Sequence, residues 1–179
     1  MEKGQALGNE AVEAELTEAE ESGETCAENA RIKAVSAWQE TGLPAVADDS
    51  GICVDALKGE PGVYSARYGG EGLDDRDRLN LLLENMKDVP DEKRGAHFSC
   101  AICCVFPSGD EINALGHCFG HIAYEPFGEG GFGYDPVFLQ DGRSFGEFSP
   151  AEKDRRSHRG QALRDFAVKL EKYMKDKVN

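Results

Sequence analysis

The chain has 179 residues, of which 34 are acidic and 20 are basic lysines and arginines, so its formal net charge is −14. This length fits one domain, predicted over residues 1–179, with an acidic start at 1–20 that is either disordered or atypical. Nucleic-acid polymers and membrane surfaces bind basic faces, so the charge excludes both as expected partners. The sequence shows neither a bilayer-spanning apolar run nor a signal peptide, which predicts a cytoplasmic protein.

Residues 1–24 are rich in glutamate and are typical of a solvated helix face or a frayed tail. A capping box at Thr25 and Glu28 then predicts the start of a helix. Ala30 and Ala34 recur at helical spacing, together with Ala37 and Trp38, and Gly42 is a plausible stop. Two apolar stretches follow, and we expect the acidic pair between them to lie at a strand end or in a turn.

Residues 74–88 predict an amphipathic helix that is capped by Asp74 or Asp75 and ended by Pro90. Its expected buried stripe is Leu79, Leu82, Leu83 and Met86. Residues 96–106 and 111–124 predict two strands joined by a hairpin at 107–110. Within the first strand, the Cys100 and Cys103 pair lacks the second ligand pair of a zinc site, and we interpret both as buried small residues.

A glycine-rich loop at 128–136 leads into a short strand at 137–139, and a polar, basic stretch covers 149–159. The last helix is predicted at about 160–177, with a buried stripe of Leu163, Phe166, Ala167, Leu170 and Tyr173 or Met174. Strands and helices are mixed, so the expected fold class is α/β with a partly antiparallel sheet.

Three constellations can carry chemistry. The first is Asp48-Asp49-Ser50-Gly51, whose adjacent carboxylates suit Mg²⁺ and the activation of water. The same tetrapeptide is also typical of an acidic turn with side-chain-to-backbone hydrogen bonds, and the residues alone leave both interpretations open.

The second constellation is the loop 130–136, in which three glycines expose backbone NH groups that can hold phosphate or a base edge. Phe132 could stack on a base and Asp135 could accept a hydrogen bond from it. The alternative is a tight connector with Phe132 and Tyr134 packed in the core. The third is the basic run 153–159, which is expected to open a helix and suits a triphosphate, but is also typical of a solvated charge run.

Taken together, these motifs resemble the inosine/xanthosine triphosphate pyrophosphatase family, which acts on the noncanonical purine nucleotides ITP, dITP and XTP. The segments that carry the resemblance stand in the family's order and spacing over roughly residues 20–170: 24–34, 47–51, 61–68, 130–136 and 157–162. The resemblance implies a two-lobed fold around a long mixed sheet with an active-site cleft, a homodimer, dependence on Mg²⁺, and release of pyrophosphate from a purine nucleoside triphosphate.

The resemblance also implies roles for individual residues. Asp49 corresponds to the proton acceptor and a metal ligand, and Glu21 to the second metal carboxylate. The implied substrate contacts are Lys33, Ser50, Phe132, Gly133, Tyr134, Asp135, Lys153, His158 and Arg159. Two alternative functions stay open, a catalytically weak nucleotide sensor and a phosphatase that releases orthophosphate.

The sequence departs from the family's pattern at its start. The family opens with a strand and a T/S-x-N-x-x-K loop that holds the triphosphate, whereas here Gly8 and Asn9 are the nearest match, with no lysine three residues later. We therefore expect this segment to be missing or to lie upstream of Met1, with weak catalysis and an incomplete sheet edge in the chain as given.

Overall fold

The computed structural model describes residues 16–178, without the side chain of the last of these. Most of the predicted acidic start and the Gly8-Asn9 match therefore lie outside the described residues. Residues 16–25 belong to no helix or strand and run up to the first helix. No helix in the described part of the chain has the length and apolarity that a bilayer crossing requires.

A five-stranded sheet organises the fold, in the order β1-β2-β3-β4-β5. Its strands are β1 (Ala45–Val54), β2 (Gly95–Val105), β3 (Glu111–Ile122), β4 (Phe138–Gln140) and β5 (Arg143–Ser144). All four neighbouring pairs are antiparallel. The predicted α/β class and the hairpin between β2 and β3 are confirmed, and the sheet is antiparallel rather than mixed across residues 16–178.

Within residues 16–178, four α-helices flank this sheet: α1 (Cys26–Thr41), α2 (Asp75–Asn85), α3 (Pro150–Arg156) and α4 (His158–Val178). The predicted capping box of Thr25 and Glu28 opens α1, and Gly42 ends it in the left-handed conformation. Asp74 caps α2, which ends at Asn85, earlier than predicted, because the chain turns at Met86 before reaching the proline.

The two faces of the sheet are covered by different helices. Ala30 and Ala34 of α1 pack on one face, against Ala101 and Cys103. Ala162 of α4 packs on the other face, in a cluster that includes Cys100. The two thiols of the CxxC pair therefore lie on opposite faces and are fully buried, as predicted.

The α4 helix starts at His158, close to the predicted position, and its predicted buried stripe is confirmed only in part, since Phe166 and Leu170 are half-buried. Its buried contact is Ala162, whereas Leu163 is 49% exposed and Ala167 is exposed. The approach is close because β3 carries Gly116 at the crossing, where a Cβ would lie 2.1 Å from the His158 carbonyl oxygen. A glycine at this position therefore lets the first turn of α4 contact the sheet.

The largest core cluster lies at the other end of β1, where Ile52 and Val54 meet α2 and the segment 134–148. Arg94 is 1% exposed beside this core and donates hydrogen bonds to four carbonyl oxygens, those of Met86, Val89, Ile122 and Ala123. The guanidinium therefore ties the end of α2 to the end of β3.

Candidate active site

The acidic pair lies in the middle of β1 and not at a strand end or in a turn, so that prediction is wrong. Neighbouring residues of a strand point to opposite faces, which separates the two carboxylates and removes the repulsion expected for them. Asp49 faces α1, where it contacts the Lys33 ammonium at 2.9 Å. Asp48 faces α4, where its Oδ2 accepts two hydrogen bonds from Arg159, at 3.2 and 2.8 Å.

Lys33 joins the two carboxylates that the sequence singles out for metal binding. Its Nζ donates to Glu21 Oε1 at 3.0 Å and to Asp49 Oδ1 at 2.9 Å. Burial acts to lower the pKa of Lys33, but the hydrogen bonds to Asp49 and Glu21 outweigh it, so that this pKa is raised above its ordinary value. A permanent cation thus lies between the two carboxylates.

Lys33 contacts only one of the two Asp49 oxygens. The residue is 8% exposed, and its Oδ2 is buried with no hydrogen-bond partner in the described part of the chain. The Cys26 thiol lies beside this carboxylate, and burial, followed by the charge of Asp49, raises the pKa of Cys26 to about 12. The thiol therefore stays neutral and does not add a second anion.

The glycine-rich loop divides its two aromatic residues between the cavity and the core. Phe132 is 62% exposed, whereas Tyr134 is 7% exposed and donates from its hydroxyl to the Ser65 carbonyl at 2.7 Å. Asp135 is buried, and its Oδ2 accepts from the Phe132 backbone NH at 2.8 Å and from Lys153. The connector interpretation therefore fits Tyr134, while the Phe132 ring is open to a ligand.

The basic run is divided between two helices. Lys153 lies in α3 and its Nζ lies 4.2 Å from the centre of the Phe132 ring, whereas His158 and Arg159 begin α4. The prediction that the whole run opens one helix is wrong, because α3 ends at Arg156 and Ser157 breaks the helical path. Of the three predicted substrate contacts in this run, only His158 and Arg159 thus lie at a helix start.

His158 is a neutral side chain at physiological pH. Its imidazole stacks on Phe98, with ring centres 4.7 Å apart and planes inclined by 11°. Burial first, and then the charges of Arg159 and Lys153, lower the pKa of His158 to about 4. Its Nδ1 is buried with no hydrogen-bond partner in the described residues. The His158 ring is thus uncharged, and its Nδ1 is not engaged by another described residue.

One cavity of about 380 Å³ brings these groups together. Its lining includes all but one of the predicted site residues, from five separate parts of the chain: Glu21, Lys33, Asp49, Ser50, Phe132, Gly133, Tyr134, Asp135, His158 and Arg159. The exception, Lys153, lines an adjoining cavity of about 380 Å³ that shares Phe132, His158 and Arg159. A more open groove of about 630 Å³ beside β4 contains none of the predicted residues.

The sequence interpretation missed two lining residues of consequence. Phe98 lies on β2 within an apolar run, where nothing distinguishes a core residue from one that supports His158. Ser65 accepts a hydrogen bond from the Ile52 NH at 2.9 Å and donates to the Gly62 carbonyl at 2.6 Å. Its place in the segment 61–68 was the available signal, although its role in bracing the outer edge of β1 was not foreseen.

The carboxylates present fit a hard divalent cation. In the described part of the chain no group of three or more His, Cys, Asp or Glu residues forms a metal cluster. Glu21 and Asp49 nevertheless contact one shared ammonium, and Asp49 Oδ2 lacks a partner. Two carboxylates suffice for Mg²⁺, which commonly keeps several waters and takes the rest of its ligands from substrate phosphates.

An antiparallel sheet flanked by helices carries a cavity lined by carboxylates, a glycine-rich loop and the basic start of α4, a combination typical of a hydrolase that acts on phosphoanhydrides. The model of the Ham1 family matches residues 2–169, and the chain belongs to this family.

Curated relatives and solved structures agree with this assignment. The chain is 48% identical over 151 residues to a dITP/XTP pyrophosphatase of Streptomyces coelicolor, covering 83% of this chain and 76% of that protein. It is 53% identical over 160 residues to a dITP/XTP pyrophosphatase of Frankia alni, covering 86% and 79%. A HAM1 protein structure from Coxiella burnetii superposes with a TM-score of 0.83 at 42% identity, covering 88% and 82%.

Proposed function

We propose that this chain hydrolyses noncanonical purine nucleoside triphosphates, ITP, dITP and XTP, to the nucleoside monophosphate and pyrophosphate. The observation that carries the proposal is that one cavity is lined by Asp49, whose Oδ2 has no hydrogen-bond partner in the described residues, by Phe132 of the glycine-rich loop and by Arg159 at the start of α4. The names of the curated relatives support the same reaction.

In this proposal Asp49 is the catalytic base. A water molecule gives its proton to Asp49 Oδ2 while its oxygen bonds to the α-phosphorus, and the bond from that phosphorus to the bridging oxygen breaks, so that pyrophosphate leaves. The buried position of Asp49 favours this role, because Lys33 occupies its other oxygen and holds the carboxylate in one orientation.

Cationic side chains stabilise the polyphosphate. Lys33 and Arg159 line the cavity, and Lys153 lines the adjoining one. Such charges stabilise the negative charge that develops on phosphate oxygens during the reaction. A bound Mg²⁺, for which Glu21 and Asp49 are the proposed ligands, would neutralise phosphate charge and orient the leaving group. Ser50, whose Oγ is buried without a partner in the described residues, is proposed as a further substrate contact.

Base selection is proposed to come from the loop and the start of α4. Phe132 offers an exposed ring for stacking, and Gly133 to Asp135 form the wall behind it. His158 and Arg159 supply donors toward the 6-oxo group of hypoxanthine or xanthine. The 6-amino group of adenine would meet a donor with a donor, which leaves buried groups unpaired and disfavours ATP.

Three broader statements belong to the proposal. Residues 1–179 are proposed to form one domain, since α1, α4 and the loop all pack on one sheet. A cytoplasmic location is proposed because the six cysteines are unpaired. A homodimer is proposed by analogy with the family, and the exposed Leu115 and Phe119 on the open face of β3 suit such a contact.

Product analysis separates this function from its rivals. Purified protein is incubated with ITP and, in parallel, with ATP at the same Mg²⁺ concentration, and pyrophosphate and orthophosphate are measured. Pyrophosphate released from ITP in preference to ATP supports the proposal. Orthophosphate would indicate a phosphatase, and binding without turnover would indicate a sensor.

A further inference from the structure

The segment that carries Glu21 has no regular structure of its own. Residues 16–25 form neither helix nor strand, so the position of the Glu21 carboxylate depends on individual contacts to the rest of the protein. Two cations supply such contacts: Lys33 contacts Glu21 Oε1, and Arg67 lies 3.8 Å from Glu21 Oε2 and donates from Nη2 to the Glu21 carbonyl at 3.2 Å. Both cations contact Glu21 itself and not the path of the backbone that follows it.

That path is fixed by a buried amide on α1. Asn29 lies in the first turn of the helix and is 0% exposed. Its Oδ1 accepts a hydrogen bond from the Gly23 backbone NH at 2.8 Å, while its Nδ2 is buried with no partner in the described residues. Burying an amide whose NH2 group has no hydrogen-bond partner costs free energy. Packing alone therefore does not account for the residue.

Gly23 is matched to this amide. A Cβ at position 23 would lie 2.6 Å from Asn29 Oδ1 and 2.7 Å from Glu28 Cβ, closer than such atoms approach. The next residue is also held, because the Glu24 NH donates to Glu28 Oε2 at 2.6 Å. The backbone two residues after Glu21 is thus pressed directly onto the start of α1.

We propose that Asn29 is a positioning residue that holds Glu21 opposite Asp49 for divalent-cation binding. The inference rests on the proposed function, in which these two carboxylates bind the metal. Asn29 acts through Gly23 and touches neither the cation nor the nucleotide. Partners that orient metal ligands commonly change metal affinity by about 10–100-fold when they are removed.

The direct test is a titration of the nucleotide-free protein with Mn²⁺, followed by electron paramagnetic resonance of the unbound ion. Asn29→Leu keeps the side-chain size and removes the acceptor, and Gly23→Ala disrupts the same contact from the opposite side. Both variants are expected to bind Mn²⁺ at least about tenfold more weakly. Ala34→Gly is the matched control, because it weakens the same helix at a fully buried position without touching residues 21–24.

A double-substitution cycle shows whether Asn29 acts through Glu21. In a Glu21→Gln background the further change Asn29→Leu should have little additional effect on Mn²⁺ affinity, whereas independent roles would give additive losses. Unchanged Mn²⁺ affinity in folded Asn29→Leu and Gly23→Ala proteins, an equal loss in Ala34→Gly, or additive losses in the cycle would each overturn the inference. Absence of Mn²⁺ binding by the unsubstituted protein would instead overturn the metal site of the proposed function, and this inference with it.

Discussion

Replacing His158 tests the electrostatics of the site through stability. The imidazole is 6% exposed, and its pKa is lowered from 6.5 to about 4, mainly by burial. Between these two pH values, His158 is protonated in the unfolded chain but stays neutral in the folded protein. The free energy of unfolding must therefore fall as the pH drops through this range. At pH 5 the loss relative to pH 7.5 amounts to about 2 kcal/mol from this one group.

The measurement is urea unfolding of the unsubstituted protein and of His158→Gln at pH 7.5 and pH 5.0. Carboxylates contribute to the pH dependence of both proteins. The informative quantity is therefore the difference between the two proteins in the free energy of unfolding that each loses from pH 7.5 to pH 5.0. The unsubstituted protein should lose about 2 kcal/mol more than the variant on acidification. Equal losses would refute the reasoning, because they would mean that His158 is not held neutral by its position on Phe98.

Three further predictions concern packing and base recognition. Gly116→Ala should destabilise the fold by about 1–3 kcal/mol and lower kcat/KM, because its Cβ would meet the first turn of α4, 2.1 Å from a backbone oxygen; urea unfolding and pyrophosphate release check both effects. Arg94→Met should cost at least about 3 kcal/mol, since four carbonyls, three of them in buried hydrogen bonds, lose the guanidinium as a donor, and an unchanged urea midpoint would contradict this. Phe132→Leu should lower kcat/KM for ITP by about tenfold with unchanged stability, because stacking on an aromatic ring contributes about 1–3 kcal/mol per base; comparison of ITP hydrolysis and urea unfolding tests it.

Local signals in the sequence were sufficient for much of the fold. The capping boxes of α1 and α2 are encoded by neighbouring polar residues, Thr25 with Glu28 and Asp74 with Asp77, and both form as side-chain-to-backbone pairs. The β2–β3 hairpin follows from two apolar runs around a short polar turn. Boundaries were less predictable where the chain ends a helix by turning, as at Met86.

Most residues that line the cavity could be singled out from the sequence motifs together with the resemblance to the family, and their functional roles stay predictions. Their arrangement could not be predicted. The sequence places two aspartates side by side, but only the strand geometry shows that Asp48 pairs with Arg159 while Asp49 pairs with Lys33. Long-range contacts such as Phe98 against His158 join residues that are 60 positions apart in the printed sequence, and no local pattern encodes them.

The phase of α4 shows the same limit. Hydrophobic spacing predicts Leu163 on the buried side, but Ala162 packs on the sheet beside the space that Gly116 leaves on β3. Tertiary packing thus selects which side of an amphipathic helix is covered, and hydrophobic spacing gives this only to within a residue or so.

Asp49→Asn tests the proposed role of Asp49 as the base of a pyrophosphatase. The amide keeps the size of the side chain and removes its charge and basicity, and loss of a general base alone costs about 10²–10⁴-fold. The measurement is pyrophosphate release from ITP at saturating Mg²⁺, with urea unfolding to establish that the variant is folded. The folded variant is expected to lose at least about 100-fold in kcat. Near-normal pyrophosphate release by a folded Asp49→Asn protein would contradict it.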